Sequence, residues 1–425
     1  MSGFGLTRTE RSWVMYDVGN SAFTLMLSTI VPIYFNSVAG EELSSVDYLA
    51  YWGYAASIAT LLCAVLGPVL GSYSDRSGWR MRMFVAVLGI GVIGCAALGF
   101  VNAWLAFLVV LVITRLGYSL SLVFYDSMLV DVTRPSRSDR VSAAGYAWGY
   151  IGSCVPFVAC LVLILGCDLM GITMGQAMTV SMIVIAAWWV AASIPLIRNY
   201  RQVHSVDAHS EGAFRTLTRT IRNARSEKKA FLFLVAFFFY IDGVYTIIEM
   251  ATAYGQAIGL DTSMLLVALL MTQIVAFPCT IAFGRLSSRF DTGRLIAVCV
   301  VAYMLITVVA FFMTNIAQFF ALAFLVGMFQ GGIQALSRSH FSRIIPPERS
   351  GEFFGLMDIF GKGASFTGTL VVSAVSQATG ETSIGILSLV VLFAMGLVLL
   401  FRSVRTPSDR VPADSDCTGP GKEVA

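Results

Sequence analysis

Charged side chains are scarce. They make up 12% of the 425 residues, about half the share usual in soluble proteins. With 57% hydrophobic residues and a mean hydropathy of +0.78, no soluble core could absorb the apolar sequence, so the solvent is lipid. The net charge of +3 says nothing as a total. Histidine is rarer still: His204, His209 and His340 fall in or beside polar loops, in no HExxH spacing, so no metal centre is expected. The cysteines, Cys63, Cys95, Cys154, Cys160, Cys167, Cys279, Cys299 and Cys417, form no CxxC, and most lie inside apolar runs. They read as small buried hydrophobes rather than a disulfide or metal framework. A Walker phosphate loop is missing, so ATP is not the direct drive. A cleavable signal peptide is not expected either: the chain opens polar, and the apolar run that follows is too long for one. No cofactor and no nucleic-acid partner are expected.

What is present is apolar sequence in long runs. A membrane helix needs about 20 mainly apolar residues, and twelve segments qualify: 13–37, 50–73, 82–101, 104–128, 141–166, 176–197, 230–254, 263–285, 293–314, 317–338, 352–376 and 382–402. Of the 28 Lys and Arg residues, only Arg115 and Lys362 fall away from the ends of these spans. The others fall at alternate ends. They are Arg8 and Arg11, then Arg76, Arg80 and Arg82, then Arg134, Arg137 and Arg140, then the group from Arg198 to Lys229. Arg285, Arg289 and Arg294 follow, then Arg338, Arg343 and Arg349, and finally Arg402, Arg405, Arg410 and Lys422. The opposite loops carry only acids: Glu41, Glu42, Asp47, Asp168, Asp261 and Glu381. The positive-inside rule places both termini in the cytoplasm of a multi-pass protein of the cell (inner) membrane.

The chain then divides into a cytoplasmic N-terminus (1–12), a first six-helix bundle (13–198), a central cytoplasmic loop (199–229), a second six-helix bundle (230–402) and a disordered tail (403–425). In the central loop Arg215, Arg219, Arg222, Arg225 and Lys229 recur at helical spacing. That pattern reads either as an amphipathic helix on the inner leaflet or as a solvated basic linker.

The two bundles read as copies of one unit. The basic turn from Gly71 to Arg82 returns half a chain later from Gly284 to Arg294. Tyr16-Asp17 is echoed by Tyr240-Ile241-Asp242, and Pro135, Arg140 and Gly145 by Pro346, Arg349 and Gly355. A 6+6 parallel repeat is a transporter architecture with its substrate site between the halves. The fold class expected is all-α integral membrane, with twelve transmembrane helices in two pseudo-symmetric six-helix bundles.

The first turn resembles the loop motif between helices 2 and 3 of the major facilitator superfamily, with Gly71, Asp75, Arg76, Gly78 and Arg80 at the matching positions. Three further stretches resemble one branch of it, the vacuole-effluxer family known from autophagy and its bacterial relatives. They are Trp13 through Asp17, Gly19, Asn20 and Ser21 to Phe23; Arg140 through Gly145, Trp148 and Gly149 to Gly152; and Ile345 through Arg349, Glu352 and Gly355 to Lys362. The resemblance runs from residue 13 to about 400. It implies the major facilitator fold and a transporter, with fungal members linked to amino-acid efflux from the vacuole. The second copy of the turn departs from the motif, with Ser288 in place of the acid, which leaves only the first-half switch intact.

A charge at the centre of a bilayer costs about 2.5–3.5 kcal/mol or more, so each one inside a span calls for a reason. Asp242 and Glu249 lie two turns apart on one helix face, Arg115 and Asp126 are nearly aligned, and Asp358 and Lys362 are spaced i,i+4. The resemblance implies that helices 1, 4, 7 and 10 line the cavity. That makes Asp17, Asn20, Arg115, Asp126, Asp242, Tyr245, Glu249, Gln330 and Gln334 candidates for substrate or coupling contacts. Several have a structural alternative: Asp17 and Asn20 as a cap or link between helices, Arg115 as a structural ion pair, Glu249 as a partner in a pair across helices, and Gln330 and Gln334 as interhelical glue. Asp358 and Lys362 read first as a pair holding their own helix. Asp75 reads as a gate, because an acid in that turn can accept from a neighbouring helix N-terminus or from arginines and latch the halves together. The alternative is a plain surface turn. Gly145, Gly149 and Gly152, with Gly355, Gly361 and Gly363, allow close helix packing.

The function expected is alternating-access transport, secondary active or facilitative, of a small polar solute, with amino-acid efflux as the substrate reading the resemblance favours. Protons or sodium are the candidate coupling ions, and the partners are the bilayer and the solute. A membrane enzyme would show clustered loop acids for a metal, or a nucleophile with a histidine, and the sequence has neither. A non-transporting receptor or lipid-handling protein on the same fold is the alternative.

Overall fold

In lipid a backbone must satisfy its own N–H and C=O groups, and long apolar runs do so as α-helices. A computed structural model describes residues 5–39, 42–206, 222, 225, 227–257 and 262–407; inside the helices a few side chains, Glu249 among them, also fall outside the description. The long helices are α1 (Arg8–Ala39), α2 (Ser45–Ser74), α3 (Trp79–Leu98), α4 (Trp104–Ser127), α5 (Ser138–Leu165), α6 (Met174–Asn199), α7 (Lys228–Ala257), α8 (Thr262–Leu286), α9 (Thr292–Phe311), α10 (Ile316–Ile344), α11 (Ser350–Thr379) and α12 (Leu389–Arg405). A short helical piece, Leu129–Val132, follows α4, and another, Thr382–Leu387, precedes α12. The 3-10 turns Pro135–Arg137 and Pro347–Arg349 lead into α5 and α11. Among the described residues 11 helices are long and apolar enough to cross a membrane. The long helix outside that set is α11, which carries Glu352, Asp358 and Lys362.

Local chemistry sets the helix ends. Thr173 and Gln176 form a capping box at the start of α6. Asp291 and Asn315 accept from the amides of Arg294 and Gln318 at the starts of α9 and α10. Gly78 before α3 and Gly380 after α11 hold left-handed φ angles of 73° and 75°, which favour glycine.

Several helices run beyond their apolar segments, and this corrects the reading of the basic residues. The tenth segment ends at Arg338, but α10 continues to Ile344, so Arg338 lies inside the helix and Arg343 with it. Arg80 falls in α3 and Arg140 in α5, so Arg115 and Lys362 are not the only cations inside helices. Hydropathy finds the apolar part of a helix; the helix itself ends where its hydrogen bonds and caps end. His340, expected near a loop, is buried in α10. The described cysteines are free thiols.

Two hydrophobic cores form. One is built from residues between Leu6 and Tyr200, the other from residues between Ala230 and Leu400. Large apolar side chains such as Leu61, Ile93, Leu105 and Leu305 stay exposed on the outside, as a lipid-facing surface requires. The first and second halves of the chain meet where α2 packs on α11 and α5 packs on α8 and α10. The basic periodicity at Arg215 and Arg219, and the tail beyond residue 407, lie outside the described residues.

Candidate functional site

The turn after α2 opens on a buried acid, Asp75. Its Oδ1 accepts from the Gly351 amide at 2.8 Å and its Oδ2 from the Glu352 amide at 2.9 Å. These are unsatisfied N–H groups of the first turn of α11, where the helix dipole favours an anion. Arg80 donates to the same carboxylate at 2.7 Å and, through its other terminal nitrogen, to Asp131 at 2.7 Å. Two glycines allow the approach: a Cβ on Gly71 would collide with the Gly351 carbonyl, and a Cβ on Gly351 would collide with the Gly71 carbonyl. Burial pushes the Asp75 carboxyl up, to about 6, against the pull of Arg80 and the two amides. Arg76 is half-buried, with its guanidinium over the Tyr73 ring at 4.4 Å, and Gly78 supplies the left-handed residue of the turn.

The second contact between the halves centres on Arg338 of α10. Its side chain is 4% exposed. One terminal nitrogen donates to Asp126 at 2.9 Å and the other to Asp17 at 3.3 Å. Its Nε donates to the Ser142 hydroxyl at 2.9 Å, and it also donates to the Ser142 carbonyl at 3.1 Å. Trp13 and Tyr146 present ring faces to the guanidinium at 4.6 and 4.3 Å, a further attraction for a cation. Asp17 also accepts from the Tyr125 hydroxyl at 2.7 Å and from Asn20 at 3.4 Å. The room for this cluster comes from Gly145, where a Cβ would collide with the Asp17 carboxylate. Sequence alone groups Arg338 with the loop cations, whereas the structure puts it at the centre of this contact. The repeat held the clue: Arg338 and Asp126 lie equally far ahead of their 3-10 turns.

A third contact joins the halves beside the second turn. In the second turn Ser288 stands in the acid's place and bonds back to the Arg285 carbonyl. Across from it, Asp139 in the first turn of α5 accepts from Thr292 at 2.7 Å, from Arg343 at 2.8 Å and from Ser339. The carboxylate has moved from the turn to the helix that faces it.

The remaining candidates are scattered. Gln334 accepts from the Tyr150 hydroxyl at 2.7 Å, again across the halves. Asp242 is buried in α7, where it accepts from the Gly368 amide at 2.7 Å and ties α7 to α11 within the second half. Gln330 is buried and borders a cavity of about 120 Å3 in the second half, together with Thr246, Gln273 and Phe319; this chamber is separate from the charge cluster. Arg115 and Tyr245 are half-buried on α4 and α7. Lys362 and Asp358 pair at 2.6 Å along α11, as their spacing suggested. The Glu249 side chain lies outside the described residues. Among the described residues no group of three or more His, Cys, Asp or Glu could hold a metal ion.

Residues 42–410 match the family model described as "Vacuole effluxer Atg22 like". A protein of Bacillus subtilis (strain 168) named "Uncharacterized MFS-type transporter YxiO" is 40% identical over 403 residues, covering 93% of this chain and 94% of that protein. Autophagy-related protein 22 of Botryotinia fuckeliana is 22% identical, with 94% of this chain and 75% of that protein covered. Among solved structures, the major facilitator superfamily transporter FucP of E. coli in the outward conformation superposes with a TM-score of 0.71 at 16% identity, covering 96% of this chain and 99% of that chain.

Proposed function

The chain belongs to the Atg22-like vacuole effluxer family of the major facilitator superfamily and is a membrane solute transporter, and from this premise we propose that it moves a small amino acid by alternating access. The observation that carries the reading is Arg338: a guanidinium of one half, buried and bonded to two carboxylates of the other. One cation between two anions leaves an excess negative charge. A proton, or the ammonium group of a zwitterion, neutralises it and weakens the hold of Arg338 on Asp17 and Asp126. Breaking buried ion pairs is costly, so neutralisation is a means of releasing one half from the other.

In this reading α11 is the remaining span, making twelve in two six-helix bundles. The end that carries the α2–α3, α4–α5, α8–α9 and α10–α11 turns faces the cytoplasm, with both termini, because it carries the excess of arginines. The three charged cross-half contacts lie at that end. The conformation is therefore closed to the inside, with access from the outside, and the coupling ion is the proton. Asp75 with the α11 N-terminus, and Asp139 with Arg343, act as flanking latches.

The test is uptake of a panel of radiolabelled amino acids into proteoliposomes with an imposed proton gradient. At least one should accumulate when the gradient is present. Asp126→Asn should abolish accumulation while leaving exchange of that amino acid across the membrane. Uptake of organic anions or sugars alone would overturn the substrate class. Accumulation that ignores the gradient would overturn proton coupling.

A further inference from the structure

The chain leaving α6 does not run straight into the central loop. From Tyr200 to Val206 it lies against the Asp75 turn and Asp131, with Tyr200, Val203 and His204 bonded to Asp131 and Gln202 and Val206 to the turn and Arg80. The Tyr200 hydroxyl donates to Asp131. The Val203 and His204 amides donate to the other oxygen of that carboxylate at 3.2 and 2.9 Å. The His204 ring, through Nδ1, meets the same oxygen at 2.9 Å. Gln202 accepts from the Arg80 amide at 3.4 Å and donates to the Ser74 carbonyl at 3.2 Å. The Val206 amide donates to the Asp75 carbonyl at 2.9 Å. Asp131 holds Arg80, Arg80 holds Asp75, and Asp75 holds the first amides of α11 in the other half. A continuous set of polar contacts thus joins the start of the central loop to the opposite half of the molecule.

We propose that Tyr200–Val206 is a pH-responsive strap, which holds the Asp75 latch shut while His204 carries a proton and loosens when that proton leaves. The proposal rests on the reading of the Asp75 contact as a gate. His204 is placed to act in this way: its ring is 33% exposed, so it exchanges protons with solvent, while Asp131 is fully buried and does not. Its charge bears on Asp131 after α4, on Arg80 of α3, and on Glu348 in the turn before α11. Glu348 belongs to the other half, so an imidazolium at 204 also attracts across the gate. Neutral histidine keeps at most the hydrogen bond.

The hydrogen bond to Asp131 raises the imidazole above its usual range against the opposing effect of burial; Asp131 and Glu348 add to the rise and Arg80 works against it. A group that binds its proton more tightly in the latched state stabilises that state fully below its free value of about 6.5, and the stabilisation is lost as pH rises through the latched value. Asp75 responds at lower pH, since its carboxyl sits at about 6, so the two responses separate. Alkaline conditions on the side of the central loop should unlock the gate.

Hydrogen exchange at the Gly351 and Glu352 amides, the two that Asp75 holds, reads the latch directly and needs no solute. It would be followed in the purified full-length protein between pH 6.5 and 8.5, corrected for the intrinsic pH dependence of exchange. Protection in the wild type should fall about tenfold for each pH unit separating the latched and free titration points of His204. His204→Gln should be flat across this range, and His204→Arg should keep its protection at pH 8.5. Amides that are protected but insensitive to pH in the wild type, or a His204→Gln profile that follows the wild type, would overturn the strap and leave the gate standing. Amides unprotected at every pH would overturn the gate and the strap with it.

Discussion

Arg338 gathers acceptors that no other side chain could hold together. Its planar fork reaches two carboxylates on different helices and still bonds Ser142, a geometry a single ammonium group does not reproduce. Arg338→Ala leaves Asp17 and Asp126 facing each other without a cation. Removing one partner from a buried pair typically costs about 3–5 kcal/mol, so the variant should unfold at a clearly lower temperature in detergent, and Arg338→Lys should fall between it and the wild type. Asp126→Asn should cost less: the Asp126 side chain is 27% exposed, Asp17 still pairs with Arg338, and the amide oxygen still accepts. If Arg338→Ala melts with the wild type, the cluster does not hold the halves together. The resemblance, which implies that helices 1, 4, 7 and 10 line the cavity, brought Asp17, Asn20 and Asp126 forward as candidates. Sequence alone passed over Arg338 because the arginine follows the last apolar residues of its segment, where a helical continuation and a loop look the same.

At the scale of elements, α2 and α11 approach until backbone meets backbone. Gly71 faces Gly351, and a Cβ on Gly355 would come within 2.7 Å of the Gly67 backbone. Gly71→Ala or Gly355→Ala must push the helices apart and lengthen the Asp75 bonds, so each should raise amide exchange at the start of α11. Gly89 is the control. It lies inside α3 with nothing within 4 Å of its missing Cβ, and alanine there should be neutral or stabilising by up to about 1 kcal/mol. Equal loss of stability at all three positions would contradict the packing argument. The basic turn, its glycines and its acid were legible from the repeated pattern, because the motif is local. The counterpart contact through Asp139 was not, since its carboxylate sits on a different helix from the turn it faces. Nor was the strap, because Gln202 and His204 carry no periodic signal.

Over the whole molecule, the expected topology has both ends on one side. A fluorescent protein fused at either terminus should fold and fluoresce in the cytoplasm, while alkaline phosphatase fused in the loops at Asp168 and Glu381 should be active outside. Opposite behaviour of the two termini would mean that α11 does not cross. By itself the sequence determined that the solvent is lipid and that the structure is helical, and it carried the expectation of a repeated unit with positive charge at one end. Composition, run length and loop charge are local or additive properties, and a chain carries them openly. Which charges meet was decided only by tertiary structure. Arg338 and Asp17 are 321 residues apart, on helices of different halves. Their pairing depends on helix rotation, on the depth to which each helix continues past its apolar segment, and on the glycine at 145 that leaves space between them. Those quantities arise from packing many helices at once, and no stretch of sequence contains them.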